Sequence, residues 1–248
     1  MRIAIAGATG MVGARLAARA VAEGHDVVEL TRSAGVDLVG EADVAGHLAG
    51  VDTVVDVTNA PAAEGPVAVD FFTTVGRRLG DAATEAGVRR TVLLSIINID
   101  NAPVGHYAAK LAHEEATRAH APGLVILRAA QFHEFAGQCV AWGRDGDTTS
   151  VPDMPVQPVA LDTVVRTLLD LATGGDVPAR VGLAGPRPER LVDLAERVIE
   201  RDGLGLTVKP APAADELAGG AMLAGADATL AGPDFETWLA AGETSPDR

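Results

Sequence analysis

The sequence predicts an α/β fold in which a doubly wound parallel sheet is followed by a small C-terminal capping lobe. Short β-branched, apolar runs alternate along the chain with longer segments of helical periodicity. The apolar runs are almost continuous, as expected for parallel strands that helices cover on both faces. A glycine-rich turn, GATGMVG at residues 7–13, joins the first run to the first helical segment.

The elements of the core follow one another in strand–helix order. Strands are predicted at residues 2–6, 26–31, 52–57, 91–95 and 124–128, with a weaker apolar segment at 36–39. Helices are predicted at residues 11–23, 41–49, 67–86 and 103–120, and Gly87 is an ordinary stop for the third of them. These elements make residues 1–143 the core of the fold.

The pattern changes beyond about residue 144, where Pro152, Pro155 and Pro158 mark an irregular stretch. A helix is predicted at 161–172, a strand at 180–184 and a helix at 189–201, before an Ala- and Gly-rich stretch that ends with an apolar segment at 235–239. We therefore predict that residues 144–248 cap the core within one overall unit, with 243–248 frayed.

Composition and charge exclude several classes of protein. The 248 residues are 48% hydrophobic and 3% aromatic, which suits a core of small aliphatic side chains and excludes a wholly disordered chain. The formal net charge of −14 disfavours nucleic acid and anionic membranes as partners. Cys139 is the single cysteine, so the chain cannot form an internal disulfide. The sequence has neither a signal-peptide pattern nor a long apolar span, and we expect a cytoplasmic protein.

The glycine turn has the strand–turn–helix setting that a dinucleotide-binding motif requires. Gly7 permits the tight turn, Gly10 lets the backbone approach a pyrophosphate at the helix N-terminus, and Gly13 lets the helix pack on the strand. The residues expected to contact the dinucleotide here are Gly7, Thr9, Gly10, Met11, Val12 and Gly13. A glycine turn that binds no ligand is the alternative.

The end of the second predicted strand, VVELTRS, indicates which dinucleotide binds. Glu29 falls inside the strand pattern, so we do not expect it to be the acidic ribose ligand of an NAD site. Arg32 and Ser33 lie where a 2′-phosphate would be, and arginine binds phosphate through charge-assisted hydrogen bonds. The sequence therefore favours NADP(H), with a solvated surface arginine as the alternative.

With these motifs, the VDTVVDVTNA run, Ser95 and the segment GHYAAKLAHEEA, the chain resembles the short-chain dehydrogenase/reductase superfamily. It looks most like the atypical, NmrA-like NAD(P)-binding branch common in actinobacteria. The segments RAAQFHEFAGQ, VPDMPVQPVALDTV and GLAGPRPERLVDLA also look like that branch, so the resemblance covers nearly the whole chain. It implies a Rossmann fold with a substrate-capping C-terminal part.

By this resemblance, three loops would line the cofactor groove. Asp37 and Leu38 would flank the adenine. The nicotinamide half would be lined by Thr58, Asn59 and Ala60, after the buried strand at 52–57. The segment near the carboxamide would be Ala129, Ala130, Gln131 and Phe132.

The chain departs from this superfamily at one catalytic position. The superfamily uses a serine and a Tyr-x-x-x-Lys pair, which Ser95 and Lys110 match in part, and the resemblance implies that Lys110 holds the nicotinamide ribose. The tyrosine position, four residues before Lys110, is His106, and Tyr107 lies three residues before it. At about 100° per helical residue, both neighbour Lys110, but only His106 has the family's register.

Three interpretations of this departure stay open. His106 could replace the tyrosine as acid or base, Tyr107 could do so after a local shift of the helix, or neither does, as in the isoflavone-reductase-like relatives that rely on the lysine. The pKa of a histidine is about 6.5, and a neighbouring ammonium lowers this pKa, so His106 would be a poor acid at neutral pH. This favours conjugate or imine-type reduction, or a non-redox proton shift, over simple ketone reduction. A pocket-lining His106 with no chemical role is the alternative.

The substrate is expected to contact polar and aromatic residues that follow the later strands, with Trp142 closing the pocket. These residues are Asn98, Phe132, His133, Phe135 and Trp142, and plain core packing of the aromatic ones is the alternative. Four further candidates, on the predicted helix 103–120, are interpreted as a solvated helix face and not as a metal site: His113, Glu114, Glu115 and His120.

These inferences favour an NADPH-dependent reductase of a small organic carbonyl, enone or imine, such as a secondary metabolite. Two alternatives stay open. One is a non-redox isomerase, lyase or cyclase on the same scaffold, suggested by the missing tyrosine. The other is an NADP(H)-sensing, NmrA-like regulatory protein. We expect a monomer or homodimer that binds no metal and no nucleic acid.

Overall fold

The computed structural model describes residues 1–40, 43–60 and 65–242. Its strands are β1 (Arg2–Ala6), β2 (Asp26–Leu30), β3 (Thr53–Asp56), β4 (Arg90–Ile96), β5 (Leu124–Ala129), β6 (Arg144–Asp145), β7 (Thr148–Pro152), β8 (Pro155–Val156), β9 (Arg180–Ala184), β10 (Glu189–Arg190), β11 (Thr207–Ala211) and β12 (Thr229–Leu230). Its helices are α1 (Met11–Ala22), α2 (Val44–His47), α3 (Pro66–Glu85), α4 (Gly105–His120), α5 (Phe135–Trp142), α6 (Leu161–Thr173), α7 (Leu191–Asp202), α8 (Asp215–Ala218) and α9 (Phe235–Ala240).

Seven strands of the described chain form one mostly parallel sheet in the order β12-β9-β5-β4-β3-β1-β2. Strand β1 pairs in parallel with β2 on one side and with β3 on the other. The chain therefore leaves β1 in one direction and returns to β3 on the other side, which makes the carboxyl ends of β1 and β3 a topological switch point. The predicted doubly wound, Rossmann-type α/β fold is confirmed.

Most predicted elements lie within two residues of their observed ends. The stretch predicted as irregular after residue 144 contains the short strands β6, β7 and β8, and β11, α8 and β12 were not predicted. Two regions of the core also differ. Residues 36–37 are irregular and residues 38–40 form a turn, so this segment does not extend the sheet, but Val36 and Leu38 are still buried against the aliphatic side chains of β1, β3 and α3. Helix α5 was not predicted, because the segment FAGQCVAW is short, apolar all round and interrupted by a glycine. The predicted helix at 41–49 is observed as α2, while residues 41–42 and the predicted frayed end at 243–248 lie outside the described residues.

One compact unit consists of Met1–Ile96, Pro103–Arg128 and Val164–Val181. Within it, helices α3 and α4 pack with their backbones close together. A Cβ on Gly76 would lie 2.8 Å from Thr117 Oγ1, and one on Gly80 would lie 2.8 Å from the backbone nitrogen of Ala121. This close packing brings α3 side chains, among them Phe72, against the inner face of α4.

The second compact unit consists of Ile97–Ala102, Ala129–Thr163 and the described residues from Gly182 onward. It holds two small sheets, with strand orders β11-β7-β6 and β10-β8. Its core is formed by apolar side chains of α5, β7, α7 and α9, including Phe235 and Trp238. A functional division of the chain near residue 144 stays a prediction.

In the described part of the chain, no helix is both long and apolar enough to cross a membrane.

Candidate functional site

The glycine turn lies at the switch point and needs glycine for steric reasons. Gly7 has a φ of +84°, and a Cβ on it would lie 3.0 Å from the carbonyl oxygen of Val57, which follows β3. A Cβ on Gly13 would lie 2.1 Å from the Gly7 carbonyl oxygen, which no side chain can accommodate. At Gly10 the same atom would lie 3.3 Å from that oxygen, a milder contact. Gly7 and Gly13 are thus required by the fold, whereas the fold requires Gly10 much less.

The first turn of α1 has no side chain that caps its backbone donors. Gly10 is the N-cap residue and supplies no side-chain cap, and the first turn contains no acidic residue. The Gly10 N–H donates to the Gly7 carbonyl at 2.9 Å, and of the next residues in the turn, Met11 is half-buried and Val12 and Gly13 are buried. Free amide donors and a helix dipole favour an anion at such a terminus. The turn therefore fits the diphosphate of a dinucleotide.

The end of β2 leads into an exposed turn that carries the predicted 2′-phosphate ligands. Arg32 and Ser33 are exposed in a short 3-10 helix. Thr31 caps the N-terminus of this helix, because its hydroxyl oxygen accepts a hydrogen bond from the backbone nitrogen of Ala34 at 3.2 Å. Glu29 is an exposed strand residue, opposite Ile5 in the β1–β2 register.

The predicted adenine-flanking residues follow this turn. The Asp37 carboxylate accepts from the backbone nitrogen of Val39 at 3.1 Å, and Leu38 is buried. Leu38 therefore belongs to the core, and Asp37 shapes the loop beside it.

The loop after β3 is fixed by the last residue of that strand. Asp56 is the register partner of Ala6, so it lies beside the glycine turn at the same edge of the sheet. One oxygen of its carboxylate accepts from the backbone nitrogen of Thr58 at 2.9 Å and from Thr58 Oγ1 at 2.7 Å. Beyond it, the Asn59 side-chain oxygen accepts from the backbone nitrogen of Ala60 at 3.1 Å. The predicted nicotinamide-lining loop thus starts from a fixed point at the switch-point edge.

Ser95 lies near the same edge on β4. Its neighbour Leu93 is the register partner of Asp56, which puts Ser95 two residues farther towards the carboxyl end of the sheet. Ser95 is buried, and its hydroxyl oxygen has no hydrogen-bond partner among the described residues. A buried hydroxyl without a partner is costly, so this group is suited to hydrogen-bond a ligand.

A chain of three buried polar groups connects α4 to this edge. Lys110 Nζ lies 3.1 Å from His113 Nδ1, and His113 Nε2 lies 3.0 Å from the second carboxylate oxygen of Asp56. The residues are 5%, 0% and 1% exposed, respectively. The Phe72 ring covers the chain from α3, with Lys110 Nζ 4.7 Å and the His113 ring 4.9 Å from its centre. The Lys110 amine is therefore buried, with His113 Nδ1 as its hydrogen-bond acceptor and the Phe72 ring packed against it.

Electrostatics fix the charges along this chain. Burial raises the pKa of Asp56, but the charge and hydrogen bond of His113, the charge of Lys110 and the Thr58 amide outweigh it and lower that pKa to about 2. Burial lowers the pKa of Lys110 to about 8, against the attraction of Asp56 and Glu114. Burial and then the charge of Lys110 lower the pKa of His113. At neutral pH the three hydrogen-bonded side chains are therefore the Asp56 carboxylate, the neutral imidazole of His113 and the Lys110 ammonium.

Helix α4 turns one face towards Phe72. The His106 ring lies 5.9 Å from the Phe72 ring, so residues 106, 110 and 113 contact the same aromatic side chain. Both His106 and Tyr107 are half-buried, and their rings lie 6.4 Å apart. Of these two residues, His106 lies on the face of α4 that carries Lys110.

The prediction that α4 carries a solvated face through His113 and Glu114 is wrong. Both residues are buried, because α3 and the sheet cover this side of the helix, whereas Glu115 is exposed and His120 half-buried. Glu114 accepts from Arg128 of β5 twice, at 2.9 and 2.7 Å, so its charge is neutralised inside the protein. The signal that could have revealed His113 was its three-residue spacing from Lys110.

The remaining predicted site residues belong to the second unit. The Asn98 side-chain amide donates to the Leu223 carbonyl at 2.5 Å, and its backbone has a left-handed φ of 52°. Among the residues near the predicted carboxamide position, Ala129 and Ala130 are buried, Gln131 has side-chain amide atoms without a partner in the described chain, and Phe132 forms a bridge to Val159. These contacts leave the predicted roles untested.

His133 and Trp142 occupy opposite environments within this unit. His133 is buried between Phe235 and Trp238, with ring centres 5.4 and 5.2 Å away, and it donates from Nε2 to the Pro233 carbonyl. Burial lowers the pKa of His133 to about 4, so it is neutral in this aromatic core. Trp142 is 72% exposed at the end of α5, with its ring edge towards the half-buried Phe135. The expected pocket-lining role of these side chains stays a prediction.

Comparison with known proteins agrees with this geometry. Residues 3–122 match the model of the NAD-dependent epimerase/dehydratase family. No curated protein matches the chain.

Three solved structures illustrate the similarity of the fold. MoeE5 in complex with UDP-glucose and NAD is 19% identical, with a TM-score of 0.69, covering 85% of this chain and 86% of its own. A dTDP-4-dehydrorhamnose reductase from Clostridium acetobutylicum is 18% identical, with a TM-score of 0.69, covering 86% and 84%. UDP-glucuronic acid 4-epimerase from Bacillus cereus, in complex with UDP-glucuronic acid and NAD, is 17% identical, with a TM-score of 0.67, covering 86% of each chain. The chain therefore has the Rossmann-type fold of these proteins, and its residues 3–122 carry the sequence pattern of the NAD-dependent epimerase/dehydratase family.

Proposed function

We propose that this chain is an NADP(H)-dependent oxidoreductase that acts on a small organic carbonyl, enone or imine. The observation that carries the proposal is the buried Lys110–His113–Asp56 chain, which ends at the switch point beside the glycine turn. Burial disfavours a charged amine, so a buried lysine at a ligand-binding edge points to a functional role. A charged amine there can donate hydrogen bonds to ligand hydroxyl or carbonyl oxygens.

The chain's own residues account for dinucleotide binding. The backbone amides at the start of α1 would hold the diphosphate, and the Gly10 position leaves room for its approach. Arg32 and Ser33, exposed after β2, would hold a 2′-phosphate. Lys110 would hold the nicotinamide ribose, as the superfamily resemblance implies. When bound, the nicotinamide supplies or accepts the hydride.

Proton handling is assigned to residues near Lys110. Ser95 would orient the substrate oxygen with its otherwise unpartnered hydroxyl. His106 lies on the Phe72-facing side of α4 with Lys110, which supports His106 over Tyr107 as the group that replaces the usual tyrosine. An imidazole in place of the tyrosine hydroxyl favours enones and imines over simple ketones as substrates.

A second candidate is an isomerase or dehydratase that uses its nicotinamide without net consumption. Two observations favour it, namely the match of residues 3–122 to the epimerase/dehydratase family and the histidine at position 106. Similar folds bind UDP-sugars together with NAD, so a nucleotide sugar is the substrate class to test first for this candidate. Product formation without net change in the NADPH concentration would select it.

The cofactor assignment is tested by calorimetric titration of NADPH, NADP⁺ and NADH into the wild type and Arg32→Ala. We expect NADPH to bind more tightly than NADH, and Arg32→Ala to weaken NADPH roughly 10- to 100-fold, the value of a charged hydrogen bond, without affecting NADH. Arg180→Ala, which removes another exposed arginine, serves as the control. Equal affinity of the wild type for NADH and NADPH would overturn the choice of NADP(H).

Two further measurements test dinucleotide binding at the glycine turn and catalytic turnover separately. Gly10→Ala should fold and lose dinucleotide binding, whereas Gly137→Ala, whose Cβ would meet only Val198 at 3.9 Å, should keep it. Carbonyl, enone and imine panels are then screened for NADPH oxidation. Tight NADP(H) binding without turnover of any reducible or isomerisable substrate would favour the regulatory, cofactor-sensing alternative.

A further inference from the structure

The polarity of the buried chain is fixed at its Asp56 end. The Asp56 oxygen 3.0 Å from His113 is ionised and can only accept, so His113 carries its proton on Nε2. The other carboxylate oxygen accepts two hydrogen bonds from Thr58, which prevents the carboxylate from turning. His113 Nδ1 is left as an acceptor, and the group 3.1 Å away is the ammonium of Lys110. The hydrogen bonds therefore run in one direction, from Lys110 through His113 to Asp56.

The charges around Lys110 leave Asp56 as its principal counter-charge. Glu114 on the same helix is the other nearby carboxylate, but Arg128 of β5 binds both of its oxygens. Phe72 of α3 and the neutral imidazole of His113 contact the Lys110 amine, and neither supplies a counter-charge. An ammonium this deeply buried loses its hydration, so a carboxylate is needed to keep it charged.

We propose that Asp56 and His113 are positioning residues for Lys110: the Asp56 carboxylate, acting through the His113 ring, keeps the buried amine charged and fixes one of its three N–H bonds. This rests on the proposed function, in which Lys110 holds the ligand with its two other N–H bonds. Burial lowers the pKa of Lys110 to about 8, and the charge of Asp56, followed by that of Glu114, opposes this lowering.

The amino-acid composition of the protein allows a direct test, because its two lysines are Lys110 and the exposed Lys209. Protein labelled with carbon-13 at the lysine ε position gives two signals, of which Lys209 is the internal reference. In cofactor-free wild type, we expect the Lys110 signal to titrate near pH 8. In Asp56→Asn, it should titrate at a pH lower by about one unit or more, because an attractive charge has been removed. Asp56→Glu, which keeps the charge, should restore at least half of that shift.

The matched control is a second histidine–aspartate pair on the same helix. His120 Nδ1 lies 2.7 Å from Asp81, and both side chains are partly exposed. Asp81→Asn should leave the Lys110 titration unchanged. A Lys110 titration that Asp56→Asn does not move, or that Asp81→Asn moves equally, would overturn the proposal.

A measurement on the wild type covers the case in which Asp56→Asn fails to fold. Nitrogen-15 spectra of the histidine side chains report which ring nitrogen carries the proton. We expect His113 to be the neutral Nε2–H tautomer at neutral pH, and the Nδ1–H tautomer or an imidazolium there would contradict the proposal. Neither experiment contains cofactor. A correct Lys110 titration in a protein that binds no NADP(H) would leave this inference standing and refute the proposed function.

Discussion

Helix α4 carries two histidines, each paired with an aspartate of another element, and the two pairs lie in opposite environments. His113 and Asp56 are 0% and 1% exposed and 3.0 Å apart, whereas His120 and Asp81 are 33% and 57% exposed and 2.7 Å apart. Distance alone would rank the surface pair as the stronger one. Burial reverses this ranking, because an exposed pair exchanges its contact for water at little cost, whereas a buried pair cannot.

The two pairs also differ in what they connect. The surface pair joins α4 to α3 and ends in solvent. The buried pair joins Lys110 to the edge of the sheet where the glycine turn lies. The same two residue types therefore add a surface contact in one place and set the charge of a candidate functional group in the other.

The largest expected difference is in stability. Asp56→Ala leaves a buried imidazole N–H without its acceptor and a buried ammonium without its counter-charge, and should lower the free energy of unfolding by about 3–5 kcal/mol. Asp81→Ala should cost at most about 1 kcal/mol. Urea unfolding of both variants at neutral pH measures the two losses. Losses of equal size would mean that burial does not separate the two pairs.

The alkaline dependence of stability sharpens the comparison further. Lys110 has a folded pKa of about 8, below its unfolded value of 10.5, so the unfolded chain binds more protons between these values. The Lys110 contribution to stability is constant below pH 8 and rises as the pH increases towards 10.5.

Lys110→Met removes this titration, so the stability of the wild type relative to the variant should rise by about 2 kcal/mol between pH 8 and pH 10. Urea unfolding at both pH values measures the change. His120→Gln, which alters only the surface pair, should show the wild-type pH dependence. A difference between wild type and Lys110→Met that does not change over this range would contradict the burial of a charged amine.

The smallest expected effect concerns the surface pair itself. A double-mutant cycle between His120 and Asp81 should give a coupling of at most about 1 kcal/mol. Salt should reduce this coupling, because the Debye length falls to about 3 Å at 1 M. The same cycle between His113 and Asp56 should be insensitive to salt. A salt-sensitive buried pair would indicate that water reaches it.

The sequence predicts the parts of the molecule that local patterns encode. The glycine turn, the strand before it and the position of Lys110 on a helix follow from residue types at fixed spacing, and the structure describes each where it was expected. The structure of the segment at 36–39 is harder to predict, because Val36 and Leu38 are buried like strand residues without joining the sheet. The spacing of the apolar residues indicates that this segment is buried, but it does not show whether its backbone hydrogen-bonds to a neighbouring strand.

The buried chain was missed because it depends on contacts far apart in sequence. His113 and Glu114 look like polar helix residues until Asp56 of β3 and Arg128 of β5 are known to face them. Their neighbour His120 has the same residue type and does remain at the surface. One-dimensional patterns cannot separate these cases, since the partners come from other strands.

The central claim is that the buried Lys110 faces the bound nicotinamide dinucleotide. The most direct measurement is the lysine ε carbon-13 spectrum, recorded as NADP⁺ or NADPH is added to saturation established by calorimetry. We predict that the Lys110 signal moves and that of Lys209 does not. Saturating binding that leaves the Lys110 signal in place would contradict the account.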